Sequence, residues 1–244
     1  MQRNPYKDKI LKTIQKLSYR HSTWNVFSDF VEMSALAIAN SVDLKNSGTW
    51  ETREKTYLEI INKYQPDEQK LFPELFAYLV EALTYALTWQ NAPVDILGQI
   101  FHELELHNQY KGQFFTPQHV CDMMGAIVLG DSKEQIEKYG YISMAEPACG
   151  SGAMILGLAR AMMEADLNYC TQLVVEATDI DLKCVHMCYL QLSLYGIPAI
   201  IIHGNSLTME KWSRWYTPVY IMHGWQWKVK RNVCKGGDKQ NGFR

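Results

Sequence analysis

Seven consecutive residues, Glu146-Pro147-Ala148-Cys149-Gly150-Ser151-Gly152, combine a carboxylate with a glycine-rich bend. Gly150 and Gly152 lack a Cβ and allow a ligand to approach the backbone. Ser151 and the amides after it open a helix whose positive end attracts a carboxylate or phosphate. Glu146 disfavours a diphosphate and can pair with an ammonium, so the pattern suits a ligand carrying both an ammonium and a carboxylate. A Gly-Lys-Ser/Thr triphosphate loop is missing, and Gly-Ser-Gly is not the three-glycine dinucleotide turn.

Two further polar residues have spacing that could bring them to the same place. Asp179 ends an apolar run, a position from which a carboxylate accepts hydrogen bonds from both hydroxyls of a ribose. Asn205, in His203-Gly204-Asn205-Ser206-Leu207, ends another and could read an adenine edge. Asp181 reads as a first-turn acid serving a helix dipole. Gly112-Gln113-Phe114-Phe115-Thr116-Pro117 supplies paired aromatics before a helix, with Pro117 in its first turn and Thr116 as its cap. Those rings could cover a cofactor, or could anchor one domain to another.

The elements needed to converge these groups are short apolar runs alternating with helices. Tyr141 to Ala145, Leu173 to Thr178, Ala199 to His203 and Val219 to Met222 read as strands, with helices at Ala153 to Ala165 and Leu182 to Leu194. In a parallel sheet the residues just after each strand share one edge, so Glu146, Gly150, Gly152, Asp179 and Asn205 are expected around one crevice. Residues 1–108 read as helical, with segments at Pro5 to Tyr19, Trp24 to Asn40, Thr52 to Tyr64, Glu68 to Trp89 and Val94 to Asn108. Ser22 is the expected cap of the second. The expected fold is α/β: a helical N-terminal region (1–108), a partial Rossmann-like sheet domain (109–228) and a basic tail (229–244).

Bulk properties bound the function. The 244 residues are 47% hydrophobic, enough for a sizeable core, and no stretch reads as a membrane span or signal core. The six cysteines lack paired metal-ligand spacing, which fits a reducing cytoplasm. His102, Glu103, Glu105 and His107 resemble ligands by type alone, and Cys184, His186 and Cys188 do not share one helix face, so no metal is expected. The net charge of -2 is uneven: residues 1–20 and 225–244 each carry six basic groups against one acid, leaving an acidic centre. Basic ends could meet the phosphates of nucleic acid.

Together these segments resemble the adenine-specific DNA methyltransferases (N-6 DNA methylases) related to the modification subunit of type I restriction systems. Gly112 to Pro117 is similar to that family's Gly-x-Phe/Tyr-x-Thr-Pro motif. Glu146 to Gly152 is similar to its Asp-Pro-Ala-Cys-Gly-Ser-Gly motif, with Glu for Asp. The resemblance implies an S-adenosylmethionine-dependent methyltransferase fold. Glu146, Ala148, Gly150 and Gly152 would take the methionine part, Asp179 the ribose and Asn205, in place of an acid, the adenine. Phe114, Phe115 and Thr116 would line the same cofactor.

The family transfers methyl to the exocyclic amine of a flipped adenine through Asn/Asp-Pro-Pro-Tyr/Phe after its fourth strand. Nothing in the chain matches that motif. On the expected register, Tyr220 to Trp227 stands there, so His223 or Gln226 would accept from the amine and Trp225 or Trp227 would stack on the base. Thr217-Pro218-Val219-Tyr220 precedes the expected strand and would lie on the wrong edge. The resemblance further implies DNA and a specificity or complementary subunit as partners. The open edge of a four-strand sheet would need a cover: an N-terminal helix, the tail, another subunit or a second copy. Three functions follow: a DNA adenine methyltransferase, an inactive cofactor-fold module that binds DNA or a partner, or a methyltransferase with a non-DNA substrate.

Overall fold

The computed structural model describes residues 3–43, 48–104 and 116–229. Its first half is helical. α1 (Pro5–Leu17) is capped by Asn4, whose side chain accepts from the Tyr6 and Lys7 amides. α2 (Thr23–Val42) is capped by Ser22, accepting from Asn25 N at 3.1 Å, as its hydroxyl suggested. α3 (Gly48–Ile61), α4 (Pro66–Gln69) and α5 (Leu71–Trp89) follow, and α1 and α2 pack with them through Ile10, Ile14, Phe27, Phe30, Leu75 and Leu79. The segment Pro66–Trp89 is long and apolar enough to cross a bilayer. Its face of Leu75, Leu79, Ala82, Leu83 and Ala86 is instead buried in this helical core.

α6 (Ile96–Glu103) leads to α7 (Gln118–Asp131) and α8 (Lys133–Tyr139). The α7 start differs from expectation: Pro117 occupies the cap position with no side-chain bond, and Thr116 does not cap the helix. A proline one residue before the first helical amide still sets the entry, because its own missing N–H is no loss there.

The second half alternates strand and helix: β1 (Ile142–Glu146), α9 (Ala153–Glu164), α10 (Tyr169–Gln172), β2 (Leu173–Asp179), α11 (Leu182–Leu194), β3 (Ala199–Asn205) and β4 (Glu210–Tyr216). The sheet order is β1-β2-β3-β4, with the first two pairings parallel and the third antiparallel. Leu173, Val175, Ala177, Ala199 and Ile201 join the helices' core. The fold is thus α/β, a helical region followed by a partial, mixed sheet. α7 crosses α9 at Gly125 and Gly157: a Cβ on Gly125 would lie 2.4 Å from the Gly157 backbone. That close approach ties the start of α7 to the helix that opens at the glycine bend, and the Arg160–Asp122 pair at 2.9 Å reinforces it.

The fourth strand corrects the sequence reading. Val219 to Met222 is not a strand; Pro218–Met222 forms the short helix α12, and the strand is Glu210–Tyr216. Exposed and half-buried residues alternate along β4 until Trp215, so its apolar content is too low to read as a buried strand. Pro218 sits in the first turn of α12, where its fixed φ favours the helix.

Buried His186, on α11, stacks edge-on against Trp215 at 4.7 Å, and its Nε2 has no hydrogen-bond partner among the described residues. Burial, with His203 nearby, pushes its pKa down from 6.5 to about 3. The folded state therefore keeps it neutral while the unfolded chain takes up a proton below about pH 6.5. Its contribution is fully present above that pH and is lost as pH falls toward 3. Between pH 8 and 5 it removes about 2 kcal/mol of stability. His186→Leu should flatten that part of the urea-unfolding profile; an unchanged acid slope would refute the assignment.

Candidate cofactor crevice

β1, β2 and β3 point their carboxyl ends the same way, so the residues after them share an edge. Glu146 ends β1, and one of its carboxylate oxygens accepts from Ala148 N at 3.1 Å, which folds the bend back on the acid. Gly150 and Gly152 have φ of +52° and +98°, a region that side chains other than glycine enter at a cost. At Gly152 a Cβ would also meet Cys188 Sγ at 3.2 Å. The bend is held from below by Cys149 N, donating to Thr178 O at 2.9 Å.

Asp179 faces this bend directly. Gly150 N–H donates to its Oδ2 at 2.8 Å and Asp181 N–H to its Oδ1 at 2.9 Å. A carboxylate has about four acceptor sites, so capacity for a ligand donor remains. Burial raises the Asp179 pKa above the ordinary 3.8, and the backbone donors at Asp181, Gly150 and Ile180 pull it partly back. Its ionised, ligand-accepting form is therefore depleted at a higher pH than an ordinary aspartate's as acid is added. Asp181 caps α11 through Lys183 N at 2.8 Å, a helix-end task as its position implied.

Asn205 reaches the same edge but already has work there. Its Oδ1 accepts from Leu207 N at 2.9 Å and Thr208 N at 3.3 Å, turning the chain from β3 into β4. The amide Nδ2 is left as the group with which it could meet a base. Thr116 is exposed beside the start of α7, whereas Phe114 and Phe115 lie outside the described residues. So do Glu105 and His107; Glu103 pairs with Lys7 at 2.6 Å.

The catalytic candidates His223, Trp225 and Gln226 do not join the crevice. β4 runs back antiparallel to β3, and Thr217 after it binds both Ile197 O and Ala199 N at the beginning of β3. Trp225 is buried with Val174 and stacks edge-on with Tyr141 at 5.3 Å, at the beginnings of β2 and β1. A seven-residue strand therefore separates these residues from Asp179, about 20 Å at the usual rise. Both this placement and the expected strand at 219–222 fail for one reason: the chain reverses at Asn205 and spends its fourth strand returning.

Beneath the bend lies a polar hub that the sequence reading did not single out. Buried Asp95 accepts from Ser151 Oγ at 2.6 Å, Gln191 Nε2 at 2.8 Å and Gly98 N at 2.8 Å. Gln191 also donates to Ser151 O at 2.8 Å and accepts from Leu97 N at 3.1 Å. Tyr195 OH donates to Val94 O at 2.9 Å and accepts from Val94 N at 3.0 Å. The start of α6 is thereby bound to the glycine bend and to α11. The available signals were slight: an Asp just before an apolar helix, as a cap would be, and one amide inside the apolar run of α11.

Residues 94–238 match the family model described as N-6 DNA Methylase. A curated relative, the type I restriction enzyme MpnII methylase subunit of Mycoplasma pneumoniae, is 22% identical over 136 residues, which cover 53% of this chain and 23% of that protein. A solved type I restriction-modification methyltransferase subunit from Streptococcus thermophilus aligns over 85% of this chain and 40% of its own, at 17% identity and a TM-score of 0.40. The chain thus spans about a quarter of the length of the curated relative.

Proposed function

Because the chain belongs to the N-6 DNA methylase family, we propose that its crevice binds S-adenosylmethionine and serves methylation of the adenine exocyclic amine in DNA. The observation that carries this reading is the 2.8 Å bond from Gly150 N–H to Asp179, which joins the glycine bend to the acid of the next strand. Glu146 would receive the ammonium and the first amides of α9 the carboxylate. Asp179 would accept from the ribose hydroxyls and Asn205 Nδ2 would donate to the adenine ring. Ala148, Gly152 and Thr116, with Phe114 and Phe115, complete the proposed lining. The bound cofactor supplies an electrophilic methyl group; the chain's own part is to orient it and hold its charges.

The distance of His223, Trp225 and Gln226 from this edge favours a second reading, in which the chain is a cofactor-fold module acting with a partner. A group that accepts from the target amine must come within hydrogen-bond reach of it, and the described crevice edge offers Glu146, Asp179 and Asn205, each already assigned to the cofactor. DNA, held partly by the basic ends, and a specificity or complementary subunit are the proposed partners, in the cytoplasm.

Calorimetric titration with S-adenosylmethionine and its demethylated product, followed by transfer of radiolabelled methyl to adenine-containing DNA, tests both. Saturable binding with label in DNA is the expected result for the first reading. Binding with no label, even with the cognate subunits present, selects the module. Label in a protein or small molecule instead of DNA would mean a different substrate, and no binding would overturn the cofactor assignment itself.

A further inference from the structure

Donors of the glycine bend are taken up by the protein's own acids. Ala148 N–H donates to Glu146 at 3.1 Å, Gly150 N–H to Asp179 at 2.8 Å and the Ser151 hydroxyl to Asp95 at 2.6 Å. A glycine bend before a helix ordinarily turns such donors toward an anion; here each meets a different carboxylate. The ion pairs of the described residues involve none of Asp95, Glu146 and Asp179. Lys183, two residues past the Asp181 cap, lies over the Trp24 ring at 4.1 Å, with Asp181, Glu32 and Asp29 as its charged neighbours. Two thiols beside the bend sit in the same negative field. Burial, then Asp95, Asp122 and Glu146, pushes the Cys121 thiol up to about 11, and burial, then Asp179, Asp181 and Asp95, raises that of Cys184.

We infer that the crevice selects its ligand by charge, taking the sulfonium of S-adenosylmethionine in preference to the neutral thioether left after methyl transfer, with Asp95 as a specificity-determining residue for that choice. This rests on the proposed cofactor reading and adds to it. When the methyl group passes to an amine, the C–S bonding pair stays on sulfur as a lone pair and the sulfonium charge disappears. Ammonium, carboxylate, ribose and adenine are common to both molecules, so contacts to them cancel in the ratio of the two affinities. What remains is the interaction of the sulfur's charge with the fixed charges around the bend.

The N-termini of α9 and α11 oppose a cation, but each amounts to about half a charge that fades within a turn. The carboxylates are full charges. Asp95 is 5% exposed and lies behind the bend, so solvent ions screen it less than they screen the acids at the rim. It accepts from Gly98 N and Gln191 Nε2 on one oxygen and from Ser151 on the other, which fixes its position without a countercharge. The functional consequence is that methyl transfer itself loosens the spent cofactor.

Calorimetric titration of the full chain with three probes reads the choice: S-adenosylmethionine, its thioether product, and sinefungin, in which a carbon bearing an ammonium replaces the methylated sulfur. S-adenosylmethionine and sinefungin should each bind about tenfold or more tighter than the thioether. Asp95→Asn keeps the shape of the hub, because the Ser151 hydroxyl can accept from an amide as well as donate to a carboxylate. It should narrow both ratios by about threefold to tenfold. Glu146→Gln, half-buried at the rim and outside the hub, should narrow them as well, and it carries the test if circular dichroism shows Asp95→Asn to be misfolded. A thioether that binds as tightly as S-adenosylmethionine, or sinefungin that binds no tighter than the thioether, would overturn charge selection and leave the cofactor assignment standing. Unchanged ratios in the folded variants would overturn the part given to these acids. Failure of all three probes to bind would remove the cofactor reading and this inference together.

Discussion

Asp179→Ala is expected to weaken S-adenosylmethionine binding by about a hundredfold to ten-thousandfold while leaving the chain folded. The carboxylate would accept from two ribose hydroxyls, and hydrogen bonds to a charged group contribute about 1.5–3 kcal/mol each; every 1.4 kcal/mol is about tenfold in affinity. Its loss also frees the Gly150 and Asp181 N–H groups, which can turn to water at the open crevice, so the stability cost should remain small. Calorimetry gives the affinity and a thermal melt gives the fold. Affinity within about threefold of wild type would remove Asp179 from the site. The same carboxylate gives the binding a pH dependence. Because burial raises its pKa above 3.8, protonation begins at a higher pH than for an exposed aspartate. Affinity should therefore fall on acidification, and in Asp179→Asn that component should vanish.

The second large effect is on stability. Gln191→Leu removes the donor to Asp95 and to Ser151 O and the acceptor for Leu97 N, all in the buried hub. Leaving buried polar groups unpaired costs about 1–3 kcal/mol apiece, and a carboxylate deprived of a partner costs more. A loss of about 3–5 kcal/mol follows, which for a chain of this size is a fall in melting temperature of roughly 10 °C. Urea unfolding should show a lower midpoint with an unchanged slope. A loss under about 1 kcal/mol would mean that water satisfies the hub as well as Gln191 does.

The first three strands and the helices between them were legible because their chemistry is redundant: apolar β-branched runs, a glycine bend and an aspartate each mark the same boundary. β4 was not, since an edge strand facing solvent on one side needs few apolar residues, and Glu210-Lys211-Trp212-Ser213-Arg214 gives no buried-strand signal. The real strand's neighbour, Val219 to Met222, is more apolar but follows Pro218 and curls with it into α12. Misreading that single element moved His223, Trp225 and Gln226 to the wrong end of the sheet. Asn205 was located correctly on its edge, yet its role in reversing the chain depends on backbone amides at 207 and 208, whose positions no pattern of residue types conveys. The Asp95 hub was invisible for a similar reason: its members are separated by up to 101 residues and meet only through the tertiary fold.

That hub has a bearing on how the molecule can be taken apart. Val94, Asp95 and Leu97 precede the glycine bend by some fifty residues, yet their bonds are among the bend's immediate supports. A fragment severed at residue 108 would carry Ser151, Gln191 and Tyr195 without their counterparts and should be recovered as insoluble material. Any chimera that grafts the sheet onto a foreign helical leader must bring residues 94–98 along as part of the graft.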